Sequence, residues 1–135
     1  MQNDAVRRFH SPEALPPPVG YSHVVEVRAG RVIYVSGQVP LDPEGHLVGH
    51  GDLEAQTRKV FENLQAALGA AGASWADVVK LNYYLVDVRE LTTVRAVRDE
   101  FVNTKHPPAS TLVEVSRLFR DDVLIEIDAV AIADE

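Results

Sequence analysis

The chain has 135 residues, a formal net charge of −7 at pH 7 and no cysteine. Its length fits one compact domain over residues 1–135 that can bury its own core. The lack of cysteine excludes disulfides, thiol nucleophiles and cysteine zinc sites. The negative charge argues against nucleic acid as a partner, because phosphate binding needs a basic surface.

No apolar stretch approaches the ~20 residues that span a bilayer. With no signal-peptide pattern at the N-terminus, we expect a cytoplasmic protein without a membrane partner.

Residues 1–20 are polar and then proline-rich, and they close with the sequence SPEALPPPVG. Proline fixes φ and lacks an amide donor, so we expect an extended arm here rather than a helix or an inner strand. Residues 22–28 (SHVVEVR) and 31–36 (RVIYVS) read as two strands. The short Ala29-Gly30 link between them predicts a hairpin.

Residues 52–71 form the strongest predicted helix, with apolar side chains at helical spacing and Gly72 as its stop. Ser74 to Asp77 resembles a capping box that opens a single turn. Residues 78–86 read VVKLNYYLV, which is typical of a buried strand. Asp87 is placed to cap a second helix over residues 88–102.

Two runs near the C-terminus, residues 110–117 and 123–132, predict two adjacent antiparallel strands. In the second run every odd position from 123 to 131 is apolar, so this parity should face the core. In the first run the odd positions Val113 and Val115 form the apolar side of the strand. The opposite face of the second run carries Leu124, Glu126, Asp128, Val130 and Ile132. An acid on a mostly apolar face lies either at a wet edge or in a site.

The order of these elements predicts an α+β fold with one sheet and both helices on the same face. The uncovered face would expose Leu124, Val130 and Ile132, which is too much apolar surface to leave in water. We therefore expect association through that face.

Several segments in this order resemble the Rid (reactive intermediate deaminase) family, also called YjgF-type proteins or L-PSP endoribonucleases. The matching segments are Gly20-Tyr21-Ser22, residues 35–42 (VSGQVPLD), Ala55-Gln56-Thr57 with Asn63-Leu64, Ala71-Gly72, residues 77–80 (DVVK), Pro108-Ala109, residues 113–115 (VEV) and residues 125–129 (IEIDA). The resemblance implies a chorismate-mutase-like fold, with a mixed sheet and two helices on one face. It also implies a homotrimer around a central β-barrel, with a ligand cleft at each subunit interface.

The resemblance also implies an activity. Family members that act as deaminases hydrolyse 2-enamino and 2-imino acids to 2-keto acids and ammonia, and they need no metal or other cofactor. In them an arginine after Pro-Ala grips the substrate carboxylate with two donors, and this chain has Ser110 there. Tyr21 matches a family tyrosine, and Glu126 matches the glutamate that positions the hydrolytic water. Arg95 stands where the family often has an asparagine, with Arg98 three residues further.

Four candidate site residues follow: Glu126 as the catalytic residue, and Tyr21, Ser110 and Arg95 as substrate-binding residues. Each has a structural alternative. Glu126 could lie at a sheet edge or pair with an arginine, and Tyr21 could pack beside the arm. Ser110 could satisfy local backbone, and Arg95 could belong to a solvated face with Asp99 and Glu100.

Two classes of function remain for a small metabolite such as a keto acid, an imino acid or a related amine. One is an enamine or imine deaminase with altered specificity, and the other is a non-catalytic metabolite-binding or regulatory trimer. The acidic balance disfavours an endoribonuclease. A metal site at His46 and His50 is disfavoured as well, because their glycine-rich stretch predicts a loop.

Overall fold

Six strands and two helices make up the computed structural model, which describes residues 5–135. Helix α1 spans Leu53–Ala70 and helix α2 spans Leu91–Arg98. The strands are β1 (Val6–His10), β2 (Val24–Arg28), β3 (Arg31–Gln38), β4 (Val78–Leu85), β5 (Ala109–Glu114) and β6 (Ile125–Ala133). Short 3-10 turns precede β4 and α2, at Trp75–Asp77 and Val88–Glu90.

The main sheet has four strands in the order β3-β6-β4-β5. Strands β4 and β5 are parallel, and the other neighbours are antiparallel. Side chains of β6 alternate between fully and partly buried, and the fully buried odd positions pack with α1 and α2 in one core. The predicted α+β fold, with a mixed sheet and both helices on one face, is confirmed. Neither helix of residues 5–135 has the length and apolarity needed to cross a membrane.

Strands β1 and β2 form a separate two-stranded antiparallel ribbon, with Val6 opposite Arg28. The predicted hairpin between residues 22–28 and 31–36 is therefore wrong, because β2 pairs with β1 while β3 pairs with β6. Ala29, with φ of 63°, and Gly30 carry the chain from the ribbon to the main sheet. Residues 6–10 of the predicted N-terminal arm pair as strand β1, and residues 1–4 of the arm lie outside the described part.

The two C-terminal strands are not adjacent, which corrects a second prediction. Strand β4 lies between β5 and β6 and pairs with both. The apolar parity assigned to the first run is also wrong, since Val113 is 41% exposed on the face without helices. Leu112 instead packs against the core.

The two helices differ in how well their observed ends match the predicted ones. Helix α1 begins and ends within one residue of the predicted bounds, and the Asp52 carboxylate accepts a hydrogen bond from the Ala55 amide at 3.1 Å. The capping box at Ser74 and Asp77 is present. Helix α2 starts only after a 3-10 turn and ends at Arg98, four residues earlier than predicted.

Candidate functional site

A cavity of about 230 Å³ lies between α2, β5 and the segment around Tyr21. It combines apolar walls with two arginines, two tyrosines and a serine. Its lining residues are Val19, Tyr21, Tyr83, Leu91, Val94, Arg95, Arg98, Ser110 and Leu112.

The strand register explains why Ser110 faces this cavity. Ser110 pairs with Leu81 across the parallel β4-β5 ladder, and Leu81 is fully buried on the helix side of the sheet. Paired residues of neighbouring strands point to the same face. Ser110 therefore lies on the helix side, next to α2.

Two hydrogen bonds hold the segment of Tyr21 against the start of β5. The Ser22 amide donates to the Pro108 carbonyl at 3.1 Å, and the Ser22 hydroxyl donates to the Pro107 carbonyl at 2.6 Å. Ser22 is buried although it is polar. These bonds place Tyr21 beside the strand that carries Ser110, where its ring stands edge-on to His23 with 5.2 Å between centroids.

Arg98 is largely enclosed, with only 11% of its side chain exposed. Its Nε donates to Asp99 Oδ1 at 2.9 Å. The rest of the guanidinium lies over Gly20, where a Cβ would overlap Nη2, and Gly20 itself has φ of 74°. Glycine is thus needed at residue 20 both for the backbone conformation and for the approach of Arg98.

Tyr83 contributes a buried hydroxyl group that has no hydrogen-bond partner among the described residues. Burial raises the pKa of Tyr83, an effect that the nearby Arg98 charge partly offsets. The phenol therefore stays protonated and remains a hydrogen-bond donor at physiological pH.

The charge of the lining is positive. Arg95 and Arg98 both line the cavity, and none of the lining residues is acidic. Within the described chain, the Arg95 guanidinium makes no side-chain hydrogen bond or ion pair. The structural alternative for Arg95, a solvated face shared with Asp99 and Glu100, shows no ion pair to Arg95, since Asp99 pairs with Arg98 and Glu100 pairs with Arg58.

Glu126 lies on the opposite face of the sheet. Its neighbours Ile125 and Ile127 are fully buried on the helix side, so the Glu126 side chain points the other way. The carboxylate lies against Gly37 of β3, where a Cβ would overlap Oε2. A register shift between Val35 and Gln38 marks a bulge at this point.

The surroundings of Glu126 on this outer face shift its pKa. Burial, and then the charge of Asp128, raises the pKa of the Glu126 carboxyl. Asp128 itself accepts hydrogen bonds from Asn82 Nδ2 at 2.7 Å and from the Tyr84 hydroxyl at 3.0 Å. The two carboxylates thus have different environments on one sheet face.

The structure brings three of the four sequence candidates, Tyr21, Ser110 and Arg95, to one cavity and leaves Glu126 on the other side of the sheet. Sequence reasoning did not single out Tyr83, because nothing in the run VVKLNYYLV shows which hydroxyl lacks a partner. Arg98 was noted together with Arg95 on the predicted second helix, but it was not chosen as a site residue.

No metal centre is evident in residues 5–135, since no group of three or more His, Asp or Glu side chains could hold an ion there. His46 instead lies 3.7 Å from Asp42.

Residues 11–133 match the family model described as Endoribonuclease L-PSP. A RutC family protein of Pyrococcus abyssi is 44% identical over 120 residues, which cover 88% of this chain and 91% of the relative. A protein of Salmonella typhimurium named 2-iminobutanoate/2-iminopropanoate deaminase is 38% identical over 123 residues, covering 89% of this chain and 93% of the relative. The crystal structure of YyfB, a Rid-family protein of Yersinia pestis, matches with a TM-score of 0.83 at 38% identity and covers 93% of this chain and 98% of that one.

The family model spans residues 11–133, which include β5, β6 and both helices, and each of these relatives covers 88% or more of the chain. The chain therefore belongs to the endoribonuclease L-PSP family, together with the RutC, YjgF and Rid proteins.

Proposed function

We propose that this protein binds a small metabolite in the cavity beside α2 and hydrolyses it as an enamine or imine deaminase of altered specificity. The observation that carries the proposal is the convergence of Tyr21, Ser110 and Arg95 on one cavity. A relative of 38% identity is named as a deaminase of 2-imino acids, which supports this class of reaction.

Hydrolysis of an imine needs a bound substrate, a positioned water and proton transfer. Water adds to the carbon of the C=N bond while a base takes one of its protons and passes it to the nitrogen. The second proton of the water follows to the nitrogen as the C–N bond breaks, so that the carbonyl forms and ammonia leaves. Glu126 is the base that we assign. Its raised pKa suits a group that exchanges protons nearer to neutral pH.

Glu126 and the cavity of the same chain lie on opposite sheet faces, so one copy does not hold a complete site. We propose that Glu126 of one copy meets the cavity of a neighbouring copy in a homotrimer. The exposed apolar side chains on the outer face, among them Val32 and Tyr34, support association through that face.

Ser110 is the basis for altered specificity. A hydroxyl has neither the charge nor the two parallel donors with which arginine binds a carboxylate. We expect slow hydrolysis of 2-iminobutanoate by the natural protein and at least tenfold faster hydrolysis by Ser110→Arg, since charge-assisted hydrogen bonds contribute about 1.5–3 kcal/mol. The measurement is the release of 2-oxobutanoate from 2-iminobutanoate generated in situ.

Controls separate hydrolysis at this site from other effects. Glu126→Gln in the Ser110→Arg background should abolish the gained activity, and Glu13→Gln at an exposed position should leave it unchanged. Equal rates for Ser110→Arg and the natural protein would contradict the proposed specificity change.

Metabolite binding without turnover is a second candidate function, and the serine at residue 110 favours it. Under that alternative, Ser110→Arg would bind 2-oxobutanoate but would release no product from the imine. The proposed deaminase activity would then be wrong, while the binding site would stand.

A further inference from the structure

We propose that Arg98 and Tyr83 form an anion-binding group in this cavity, so that the ligand is a small carboxylate held from α2 rather than from β5. This inference rests on the proposed binding of a metabolite in the same cavity and names the chemical class of that metabolite.

The position of Arg98 is the first observation. Its guanidinium is enclosed between Gly20 and the cavity, and only Nε has a protein acceptor, Asp99 Oδ1 at 2.9 Å. Within residues 5–135, neither Nη1 nor Nη2 donates a hydrogen bond. A planar guanidinium held along one edge keeps further donors for the paired oxygens of a carboxylate.

Tyr83 supplies an independent observation. It is 3% exposed, it lines the cavity, and its hydroxyl lacks a partner among the described residues. A buried polar group without a partner is costly and calls for an explanation, such as a ligand that the hydroxyl meets when the site is filled. The hydroxyl lies near the Arg98 charge, so an anion between them would accept hydrogen bonds from both.

The charge around the cavity decides the class of ligand. Two arginines and no acidic residue line a small cavity in a protein of net charge −7. Local positive charge of this kind favours an anion over a neutral or cationic compound. The limited volume, about 230 Å³, favours a small monocarboxylate over a nucleotide or a peptide.

A purely structural role for Arg98 is the competing explanation, in which it only covers Gly20 and pairs with Asp99. The two explanations differ in ligand selectivity. A structural arginine affects the stability of the fold, but it does not distinguish a carboxylate from the uncharged amide of the same shape.

The test is titration calorimetry with 2-oxobutanoate and with its neutral analogue 2-oxobutanamide. We expect the natural protein to bind the acid at least tenfold more tightly than the amide, as charge-assisted hydrogen bonds imply. Arg98→Gln should lose about tenfold or more of its affinity for the acid and keep its affinity for the amide. Arg58→Gln is the matched control, because Arg58 lies on α1, pairs with Glu100 and does not line the cavity. It should bind both compounds as the natural protein does.

Tyr83→Phe keeps the ring and removes only the unpartnered hydroxyl, so the test does not depend on the folding of Arg98→Gln. We expect it to fold as stably as the natural protein and to bind 2-oxobutanoate several-fold more weakly. If Tyr83→Phe binds 2-oxobutanoate as tightly as the natural protein does, the proposed role of the hydroxyl is wrong. If Arg98→Gln does so, the proposed arginine anchor is wrong.

The two compounds also separate failure of this inference from failure of the proposed function. Equal affinity of the natural protein for the acid and the amide would overturn the carboxylate anchor and leave metabolite binding intact. If the natural protein bound neither compound, the carboxylate anchor would be overturned too, and the hydrolysis of 2-iminobutanoate by Ser110→Arg would decide the proposed function on its own.

Discussion

Glu126 illustrates how much a single residue depends on the glycine opposite it. The carboxylate fits on the outer sheet face because Gly37 has no side chain, and the bulge in β3 places that glycine there. The same enclosure, together with the charge of Asp128, raises the pKa of Glu126 above its ordinary value of 4.5. The folded protein therefore binds the Glu126 proton more tightly than the unfolded chain does.

This linkage predicts how Glu126→Gln changes stability with pH. A raised pKa means that the contribution of Glu126 to stability is complete below about 4.5 and is lost as the pH rises through the folded-state pKa. Glutamine copies the protonated form, so Glu126→Gln should raise the melting temperature at pH 7.5 and change it little at pH 4. Differential scanning calorimetry at the two pH values measures the difference.

The exposed Glu13 supplies a control for the loss of one negative charge. Glu13→Gln should give nearly the same small change in melting temperature at both pH values. A lower melting temperature for Glu126→Gln at pH 7.5 would contradict the raised pKa and would indicate that ionised Glu126 stabilises the fold.

At the scale of elements, helix α1 is fixed to the C-terminal strand by a fully buried glutamine. Gln56 Nε2 donates to the carbonyls of Gly49 and Asp122, both at 3.0 Å, and Gln56 Oε1 accepts from the Leu124 amide at 2.8 Å. One side chain thus joins the loop before α1 to the segment that leads into β6. It satisfies backbone groups that have no place in a helix or a sheet ladder.

Gln56→Leu should therefore destabilise the protein by about 3 kcal/mol, because it leaves buried backbone groups without partners. The expected observation is a lower denaturant midpoint in a urea titration with an unchanged slope. Gln65→Leu changes an exposed position of the same helix, where the side chain accepts one bond from Trp75, and should cost less than about 1 kcal/mol. Equal destabilisation by the two variants would show that the buried network contributes little.

The local chemistry of the sequence was sufficient to predict most elements. Apolar spacing and Asp52 located α1, and the alternation of β6 identified its buried side correctly. The end of α2 was missed, since the apolar stripe continues to Phe101 while the helix stops at Arg98. Periodicity reports which side chains are buried, but it does not report where backbone hydrogen bonds end.

Strand order was harder to predict, because pairing depends on contacts between distant residues. The segments of β5 and β6 are consecutive in sequence, yet β4 lies between them in the sheet. Both sides of β5 carry polar and apolar residues, with Ala109, Thr111 and Val113 on one side and Ser110 and Leu112 on the other. Only the ladder with β4 decides which parity faces the helices.

The site was predictable only in part for the same reason. Family position and parity pointed to Ser110 and Glu126 as separate candidates. The alternation of β6 is enough to place Glu126 on the outer face, but the position of Ser110 on the helix side follows from its register with Leu81, which no local pattern encodes. The unpartnered hydroxyl of Tyr83 also becomes visible only in three dimensions.

At the scale of the whole molecule, the sheet has one covered and one open face. The helices cover the first, while Tyr34 on the other face is 81% exposed and Val32 is 53% exposed. In the β3-β6 ladder these two residues lie opposite Val130 and Ile132, so the four side chains form one apolar patch. Such a patch beside Glu126 fits an interface between copies better than a solvated surface.

We predict that the protein sediments as a trimer at micromolar concentration and that Val130→Asp dissociates it. In the trimer the new carboxylate would be buried without a partner, at a cost of several kcal/mol by order of magnitude, whereas in a single copy it would reach water. Sedimentation velocity measures the shift, and circular dichroism shows whether the dissociated chain keeps its fold.

Ala66→Asp adds the same charge to the exposed side of α1 and should leave the trimer intact. A natural protein that sediments as a monomer would contradict the trimer itself, and a Val130→Asp variant that stays trimeric would place the interface elsewhere. Glu126 would then have no route to the cavity of a neighbouring copy, and the proposed hydrolytic site would lose its base.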